Sequence, residues 1–425
     1  MDKNIKEKGV PENCASVLMW GIAVAFFVYQ FVARSAFPTV LTEEYMKYFN
    51  LDAKEVGALV SCYYIFYTIA QIPAGIIIDK YSIRLVMSLS IAVCAAGVMM
   101  FVSSNYYIIA SAGQMLVGLG SAFAFIGCIK TVTSWFPPHR RAAMISYTIS
   151  IGSIGPVIFG PTVALLVKKF PWIEVMITFS LFGFVLSVLA WLFMRDKEEE
   201  DKNHQNNGSK TAPPLLNDLK IILSSRRIWI LSLLIVMQYA PLSALADLWG
   251  TQFIKKLYNA DSAVASLANN MIYLGLVVGS PFFAWLAKKI NSYKNSMTIG
   301  LLISSAAFTV VQFCHIPIYG MFAALFVVGF SCGALLEFVI GTAEFPGRMS
   351  ATVTSVINMS SMVSGIILMP LIGWIVDLSW DGAMMDGIKL YSASDYRNGF
   401  FAVLASLLIA LGMSFFVKES SRAKS

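Results

Sequence analysis

Long apolar stretches of this 425-residue chain contain four ionisable side chains: Arg34, Lys130, Asp247 and Glu337. The other Lys, Arg, Asp and Glu residues fit into the termini or into the segments between these stretches. A charge at the centre of a bilayer costs at least about 2.5 kcal/mol, so a charged residue within a membrane helix usually has a function. These four residues are therefore the first candidates for a functional site. Two are basic and lie in the first half; two are acidic and lie in the second.

The composition is that of an integral membrane protein. Hydrophobic residues make up 57% of the chain, charged residues make up 13%, and the mean hydropathy is +0.71. A helix needs roughly 20 apolar residues to cross a bilayer, whereas barrel strands are shorter and alternate in polarity. We therefore predict an all-α integral membrane protein. Twelve spans are expected near residues 17–41, 56–78, 84–103, 106–135, 142–167, 173–194, 228–254, 264–287, 296–314, 317–343, 351–377 and 398–417.

The distribution of Lys and Arg predicts the orientation in the membrane. If both termini are inside, the inner segments carry 21 of the 31 basic residues and the outer loops carry 8. Basic residues are enriched in cytoplasmic loops. We therefore expect both termini to be cytoplasmic, in a bacterial inner membrane. The formal charge of +7 is then an orientation signal, and no nucleic-acid partner is expected.

A polar linker divides the chain into two halves. Residues 196–227 interrupt the apolar pattern with a mixed charge run and a stretch containing Gly, Ser and Pro. Apolar residues between Leu215 and Leu223 recur at helical spacing, which predicts an amphipathic helix on the inner membrane face. We expect a six-helix bundle over 1–195, the linker over 196–227 and a second six-helix bundle over 228–425.

Proline positions indicate that the two halves arose by duplication. Matching prolines occur 208 or 209 positions apart, in equivalent spans of the two halves. The pairs are Phe136-Pro137 with Phe345-Pro346, Pro161 with Pro370, and Pro73 with Pro281. Parallel repeats of this kind are a known transporter architecture. The expected fold is two pseudo-symmetric bundles around a central cavity.

The loop between spans 2 and 3 reads Gly75-Ile-Ile-Ile-Asp79-Lys80-Tyr81-Ser82-Ile83-Arg84. It resembles the signature loop of the major facilitator superfamily, which has a Gly, three residues, an acid, a base and further bases. Ser82 stands where that family usually has Gly. The second-half counterpart around Ala287-Lys288-Lys289 lacks the acid.

The signature residues have expected roles in a conformational switch. Gly75 should allow close helix packing. Asp79 should bond helix-end amides or a neighbouring base. Lys80 and Arg84 should anchor the loop at the inner membrane interface.

The resemblance covers nearly the whole chain. It implies two bundles that rock around a central cavity lined by spans 1, 4, 7 and 10, the four spans that contain Arg34, Lys130, Asp247 and Glu337. The implied partners are a small-molecule substrate and the lipid bilayer. We expect a monomer that is not an enzyme, has no catalytic residues and holds no metal and no cofactor, with proton coupling left open.

Position along each span sorts the four charges by depth. Arg34 and Asp247 fall in the outer part of the membrane, whereas Lys130 and Glu337 fall in the inner part. Three interpretations follow. The two couples form alternating gates, the charges bind a zwitterionic substrate, or each charge is satisfied within its own bundle. The first two interpretations are compatible with each other.

Polar residues at helical spacing predict the lining of the cavity. Gln30 and Arg34 share one stripe, and so do Tyr239 and Asp247. Other candidates come from spans 2, 8 and 11. The full set of expected lining residues is Gln30, Tyr64, Tyr67, Gln71, Tyr239, Asn269, Tyr273 and Asn358.

These observations predict secondary active or facilitative transport of a small, polar, zwitterionic solute such as an amino acid or short peptide, by rocker-switch alternating access. Two alternatives stay open. A Gly-Pro pattern over Gly152–Pro161 is loosely similar to the motif of antiporters and favours an exporter of organic anions, drugs or metabolites. A transporter-like solute sensor is the other. Symport with protons would require Asp247 or Glu337 to titrate.

Overall fold

The computed structural model describes residues 14–196, 215–333, 336–346, 349–385 and 388–417. Within these residues, twelve helical spans are long and apolar enough to cross a membrane, which confirms the predicted all-α membrane fold. Eight of the twelve are continuous helices. They are span 2 (Ala53–Lys80), span 3 (Ile83–Val102), span 4 (Tyr107–Trp135), span 5 (Pro138–Leu166), span 6 (Trp172–Phe193), span 8 (Ser262–Lys289), span 9 (Tyr293–Phe313) and span 11 (Ser350–Ser379).

The other four spans are interrupted. Spans 1 and 7 each contain a π-helical segment, in which the backbone hydrogen bonds run from residue i to i+5. Span 10 breaks between two α-helices, and span 12 breaks at one residue. The pieces are Cys14–Phe31, Val32–Ala36 and Phe37–Phe49 in span 1; Arg226–Gln238, Pro241–Trp249 and Gly250–Tyr258 in span 7; Ile318–Cys332 and Glu337–Ala343 in span 10; and Ala393–Gly399 and Phe401–Ser414 in span 12.

The spans form two pseudo-symmetric six-helix bundles around a central interface. We call the end of the molecule at which span 1 begins and span 12 ends the inner end, and the opposite end the outer end. Span 2 packs against span 11, and span 5 packs against span 8. At the outer end the backbones nearly touch. A Cβ added at Gly57 would lie 2.5 Å from the Met369 carbonyl oxygen, and one at Gly373 would lie 2.3 Å from that of Ala53.

Spans 1 and 7 extend further than the hydropathy pattern predicts. Span 1 continues as helix to Phe49 instead of ending near residue 41, and span 7 continues to Tyr258. Each helix then ends at an Asn in the left-handed conformation, Asn50 with φ 53° and Asn259 with φ 48°. An Asn tolerates this conformation at a helix C-terminus. The polar extensions bring charged residues of the two halves together.

Two short elements connect the spans. The helix Leu215–Leu223 begins the described part of the chain after the linker, and the rest of the predicted linker, residues 197–214, lies outside the described residues. Ile222 is buried against Ile228, while Ile221 is half exposed, so this helix has one packed face. A hairpin pairs Met384–Met385 with Ile388–Lys389 in the loop between spans 11 and 12.

Candidate functional site

The two outer charges form an ion pair across the central interface. The Nε atom of Arg34 in span 1 lies 3.5 Å from Oδ2 of Asp247 in span 7. Arg34 is 4% exposed and Asp247 is completely buried. In a site that excludes water, the two charges attract more strongly than they would at the surface. This contact joins the two halves of the protein.

Two phenols complete the coordination of Asp247. Tyr64 of span 2 donates a hydrogen bond to Oδ2, and Tyr273 of span 8 donates one to Oδ1. Tyr273 also accepts a hydrogen bond from Nη2 of Arg34 at 3.3 Å. A carboxylate can accept about four hydrogen bonds. The carboxylate of Asp247 already has three polar neighbours, Tyr64, Tyr273 and Arg34. Four spans from both halves therefore converge on one buried acid.

The π-helical segments lie where these charges are. Arg34 is the third residue of Val32–Ala36, and Asp247 lies within Pro241–Trp249. A π-turn carries more residues per turn than an α-helix, so it rotates the side chains that follow, and such segments are frequent at functional sites. Because spans 1 and 7 are equivalent in the two halves, the distortion is itself pseudo-symmetric. Sequence analysis missed it.

The surroundings of Arg34 are aromatic and contain a direct link between the distorted segments. The guanidinium carbon lies 4.6 Å from the centroid of the Phe31 ring, a cation–π contact. Tyr239 also lies next to the guanidinium. Ser35 donates a hydrogen bond to the Ala246 carbonyl across the interface at 3.0 Å. The site therefore contains one guanidinium cation, several phenol groups and one carboxylate that already has three polar neighbours.

The other predicted lining residues occupy the same interface at different depths. Gln30 accepts a hydrogen bond from Tyr63 at 2.8 Å, and the Tyr67 ring stacks on Tyr63 with the centroids 5.7 Å apart. Sequence analysis did not select Tyr63, although it lies one position before Tyr64. Towards the inner end, Asn358 of span 11 donates to Gln71 of span 2 at 3.5 Å.

Asn269 has a structural contact close to the ion pair. Its amide nitrogen donates to the Ala246 carbonyl at 3.4 Å, and its amide oxygen is buried with no hydrogen-bond partner among the described residues. A Cβ at Gly250 would lie 2.0 Å from that oxygen. Span 8 thus packs tightly against the end of the π-helical segment of span 7.

The two inner charges are arranged differently from the outer pair. Lys130 of span 4 lies 3.5 Å from Oδ1 of Asp79, at the end of span 2 in the same half. Glu337 is completely buried, and neither of its carboxylate oxygens has a hydrogen-bond partner among the residues that the structure describes. It is the first residue of the helix that follows the break in span 10. In this conformation, the described residues hold no Lys130–Glu337 ion pair.

The signature loop interacts with span 4 and span 6. Asp196, just after span 6, accepts hydrogen bonds from the Ile83 amide at 2.7 Å and from the Ser82 hydroxyl. Asp196 thus has one of the two roles predicted for Asp79, and Lys130 supplies the neighbouring base predicted for the other. The guanidinium of Arg84 lies 4.3 Å from the centroid of the Trp191 ring, and Lys80 lies 5.6 Å from that of the neighbouring ring of Tyr81.

The packing role predicted for Gly75 is wrong in this conformation. A Cβ added at Gly75 would find no atom within 4 Å. Close approach of helix backbones occurs at other glycines instead, including Gly57 and Gly373 at the outer end of the central interface. Sequence patterns show where a small residue is, but the packing partner depends on which end of the bundle is closed.

Ion pairs at the outer rim also join the two halves. Glu43 of span 1 lies 2.7 Å from Nζ of Lys256 in span 7 and also pairs with Lys255. Lys168 pairs with Asp261 at the start of span 8. Lys389 lies 3.7 Å from Asp52 at the start of span 2. The outer end is therefore closed by a buried pair, a rim of partly or fully exposed pairs and tight backbone contacts.

The pKa values of two carboxyl groups at this rim are shifted in opposite directions. Lys168 donates a hydrogen bond to Asp261 and holds the pKa of that carboxyl below its usual range. Partial burial and then the nearby charge of Asp377 raise the pKa of Asp52. No group of three His, Cys, Asp or Glu side chains suitable for a metal ion occurs among the described residues.

Comparisons with known proteins agree with this architecture. The chain is 25% identical over 357 residues to a probable L-galactonate transporter of Escherichia coli (strain K12), covering 77% of this chain and 76% of that protein. It is 26% identical over 418 residues to the probable galactarate/D-glucarate transporter GudP of the same organism, covering 88% and 91%. It is also 24% identical over 392 residues to the membrane sensor protein UhpC of Salmonella typhimurium, covering 86% and 82%.

Solved structures share the fold. A bacterial homologue of the human lysosomal transporter Spinster, in an inward-facing and unoccupied conformation, has a TM-score of 0.75 at 17% identity and covers 95% of this chain and 97% of its own. The nucleoside transporter NupG (D323A mutant) has a TM-score of 0.74 at 14% identity, covering 95% and 100%. The sequence model of the Major Facilitator Superfamily matches residues 22–253 and 238–425, and the chain therefore belongs to this superfamily of transporters.

Proposed function

We propose that this protein is a secondary transporter for small organic anions of the sugar-acid type, and that Arg34 binds the substrate carboxylate. The observation that carries the proposal is the position of Arg34. It is a buried guanidinium in the interface between the halves, paired with an acid from the opposite half. Arginine stays charged and binds carboxylates with two parallel hydrogen bonds, so it suits this task better than lysine.

The environment of Asp247 favours an anion over a zwitterion. A zwitterionic amino acid bound at Arg34 would need, close to the guanidinium, a carboxylate that is free in this conformation to hold its ammonium group. Asp247 already accepts hydrogen bonds from Tyr64 and Tyr273 and faces Arg34. Relatives of this chain include a probable L-galactonate transporter and a probable galactarate/D-glucarate transporter, both named for sugar acids. The amino-acid or peptide substrate predicted from sequence receives no support from these relatives.

The proposed cycle uses Asp247 as the resting partner of Arg34. With the outer end closed, Asp247 neutralises the guanidinium and ties span 7 to span 1. A substrate carboxylate that displaces Asp247 takes over this role and weakens the link between the halves. Protonation would then neutralise the Asp247 carboxylate, which has lost its partner. Transport of the anion would in this way be coupled to transport of a proton. Glu337 would pair with Lys130 only when the inner end closes and Lys130 leaves Asp79.

The membrane arrangement belongs to the same proposal. The excess of basic residues in the inner segments supports cytoplasmic termini in a bacterial inner membrane. In that orientation the closed outer end described above faces away from the cytoplasm, and the substrate site would open inwards. We expect the chain to act as a monomer, because all four charged spans and the whole interface come from one chain.

Uptake into proteoliposomes tests the function. We expect the purified protein to transport D-galactonate, D-glucarate or D-glucuronate, and not glucose, glutamine or a neutral dipeptide. A variant that removes the charge of Arg34, such as Arg34→Gln, has Lys169→Gln as its matched control, because Lys169 is an exposed basic residue. Transport of glutamine or dipeptide without transport of any sugar acid would refute the proposal. Binding of a sugar acid without flux would instead identify a sensor.

A further inference from the structure

A cavity of about 400 Å³ lies at the inner end of the second half, outside the central site. It is formed where span 7 begins, where span 10 ends and where the chain leaves span 12. Neither the signature loop nor the four membrane charges contribute to it. Its lining includes Arg226, Arg227, Ile340, Glu344, Phe416 and Val417.

The charged side of this cavity is basic. Nη1 of Arg227 lies 3.0 Å from Oε1 of Glu344, and the Glu344 side chain is only 7% exposed. Arg226 has no ion-pair partner among the described residues and belongs to the same lining. Two guanidinium groups and one carboxylate leave a net positive charge. An anionic ligand is therefore favoured, and a cationic group is disfavoured.

The other side of the cavity is apolar and lies at the level of the membrane surface. Ile340 and Val417 are buried in its wall, whereas Phe416 is 74% exposed at its edge. Phe415 and Trp229 beside it are also exposed. Exposed Trp side chains such as Trp229, near the start of span 7, mark the interface between headgroups and acyl chains. The cavity thus combines a cationic side with an apolar side at the depth of the lipid headgroups.

We propose that this cavity binds an anionic phospholipid of the inner leaflet. The lipid phosphate would contact Arg226 and Arg227, and the start of an acyl chain would lie along Phe416 and Val417. Basic pockets between membrane helices at the cytoplasmic surface bind anionic lipid headgroups. A soluble phosphate would leave the apolar wall unused, and a choline headgroup would bring a cation towards two arginines.

The ion pair in the cavity defines which variant is informative. A phosphate at Arg227 would compete with Glu344, so Arg227→Gln removes both a ligand contact and the link between spans 7 and 10. Arg226→Gln removes a charge without breaking that link. Lys288→Gln makes the same change of charge at the inner end of span 8, at an exposed residue outside the cavity lining. It is the matched control.

Native mass spectrometry of the detergent-purified full chain tests the proposal, with phosphatidylglycerol, phosphatidylcholine and inorganic phosphate as probes. We expect retention of phosphatidylglycerol over phosphatidylcholine. Arg226→Gln should weaken phosphatidylglycerol binding about five-fold, the effect of one basic residue near an anionic membrane surface. Phe416→Ala, at an exposed position, should weaken it without affecting folding, and Lys288→Gln should not weaken it.

Three results would overturn the proposal. Equal retention of the two lipids would show that the cavity does not select an anionic headgroup. Equal losses for Arg226→Gln and Lys288→Gln would show that general surface charge accounts for the binding. Retention of inorganic phosphate as strong as that of phosphatidylglycerol, with phosphatidylglycerol binding unchanged in Phe416→Ala, would identify a soluble-anion site. Thermal unfolding and size-exclusion profiles like those of the unmodified protein verify that each variant is folded. These measurements are independent of the transported substrate.

Discussion

The outer and inner pairs of membrane charges differ in their interaction partners. Arg34 and Asp247 meet across the two halves and share hydrogen bonds with two tyrosines. Lys130 pairs within its own half, and Glu337 is buried without a hydrogen-bond partner among the described residues. The same pattern of charges in the sequence thus yields one satisfied pair and one separated pair. We propose that the pair that forms depends on which end of the molecule is closed.

Backbone packing at the outer end agrees with this difference. Gly57 and Gly373 allow spans 2 and 11 to approach until a Cβ on either would contact the opposite backbone. A buried polar network and close backbone contacts reinforce each other, because both need the halves to be near. The rim ion pairs of Glu43 and Asp261 are partly or fully exposed and contribute less. The predictions below test this order of importance.

Arg34→Gln should have the largest effect. It leaves Asp247 buried without its counter-charge, an arrangement that typically costs about 3–5 kcal/mol. We expect sugar-acid uptake to fall at least about 100-fold in proteoliposomes, in line with such an energy. Arg34→Lys should restore little, because lysine does not reproduce the paired hydrogen bonds of a guanidinium. Uptake by Arg34→Gln within about two-fold of the unmodified protein would contradict the proposed role.

Gly57→Ala should shift the protein away from the outer-closed state. The added methyl group would lie 2.5 Å from the Met369 carbonyl oxygen, so spans 2 and 11 must separate. We expect transport to fall roughly ten-fold, as for a packing defect of about 1.4 kcal/mol. The distance between spin labels on the outer ends of these spans should increase. Gly21→Ala is the control, because a Cβ there would contact nothing within 4 Å. An unchanged distance in Gly57→Ala would argue against closure by this contact.

Glu337→Gln should be tolerated far better than Asp247→Asn. Gln has nearly the same size and removes a buried charge that has no described partner, so the free energy of unfolding should stay within about 1 kcal/mol or increase. Asp247→Asn should destabilise, because Arg34 loses its counter-charge. Thermal unfolding in detergent compares the two. If Glu337→Gln lost more than about 3 kcal/mol, Glu337 would have an ionic partner in the resting protein.

Asp261→Asn should have the smallest effect. Exposed ion pairs contribute about 0–1 kcal/mol. Because Lys168 lowers the pKa of Asp261, the pair stabilises the outer-closed state above the usual aspartate pKa of about 3.9 and is lost as the pH falls through the lowered value. Because Asp261 stays ionised between about pH 5 and pH 8, the effect of this variant on spin-label distances at the outer end should be too small to detect and should not vary with pH in that range. A change of the distance within that range would show that this pair is a principal contact.

Much of the architecture follows from the sequence. Hydropathy alone locates twelve spans, and the high cost of membrane charges singles out Arg34, Lys130, Asp247 and Glu337. Helical spacing selects Tyr64 and Tyr273, which both contact Asp247. These features are predictable because they depend on local composition and on periodicity, which any membrane helix must obey.

Other features depend on packing between distant segments. Each of the π-helical segments around Arg34 and Asp247 has a proline beside it, Pro38 just after the first and Pro241 at the start of the second, but neither hydropathy nor helical spacing shows that a π-turn forms there. Glu337 was expected to pair with Lys130 because both lie at inner depth, but depth does not determine which helix a side chain faces. The helical extensions that carry Glu43 and Lys256 are too polar for a hydropathy pattern to detect. Their mutual attraction is a tertiary effect.

The central claim is that Asp247 competes with the substrate carboxylate for Arg34. Isothermal titration of D-galactonate, or of whichever sugar acid is transported, tests it most directly on Asp247→Asn. The account predicts that affinity rises, roughly ten-fold if the competition is worth about 1.4 kcal/mol. Arg34→Gln and the double variant should show no binding. An affinity of Asp247→Asn equal to or weaker than that of the unmodified protein would contradict the account.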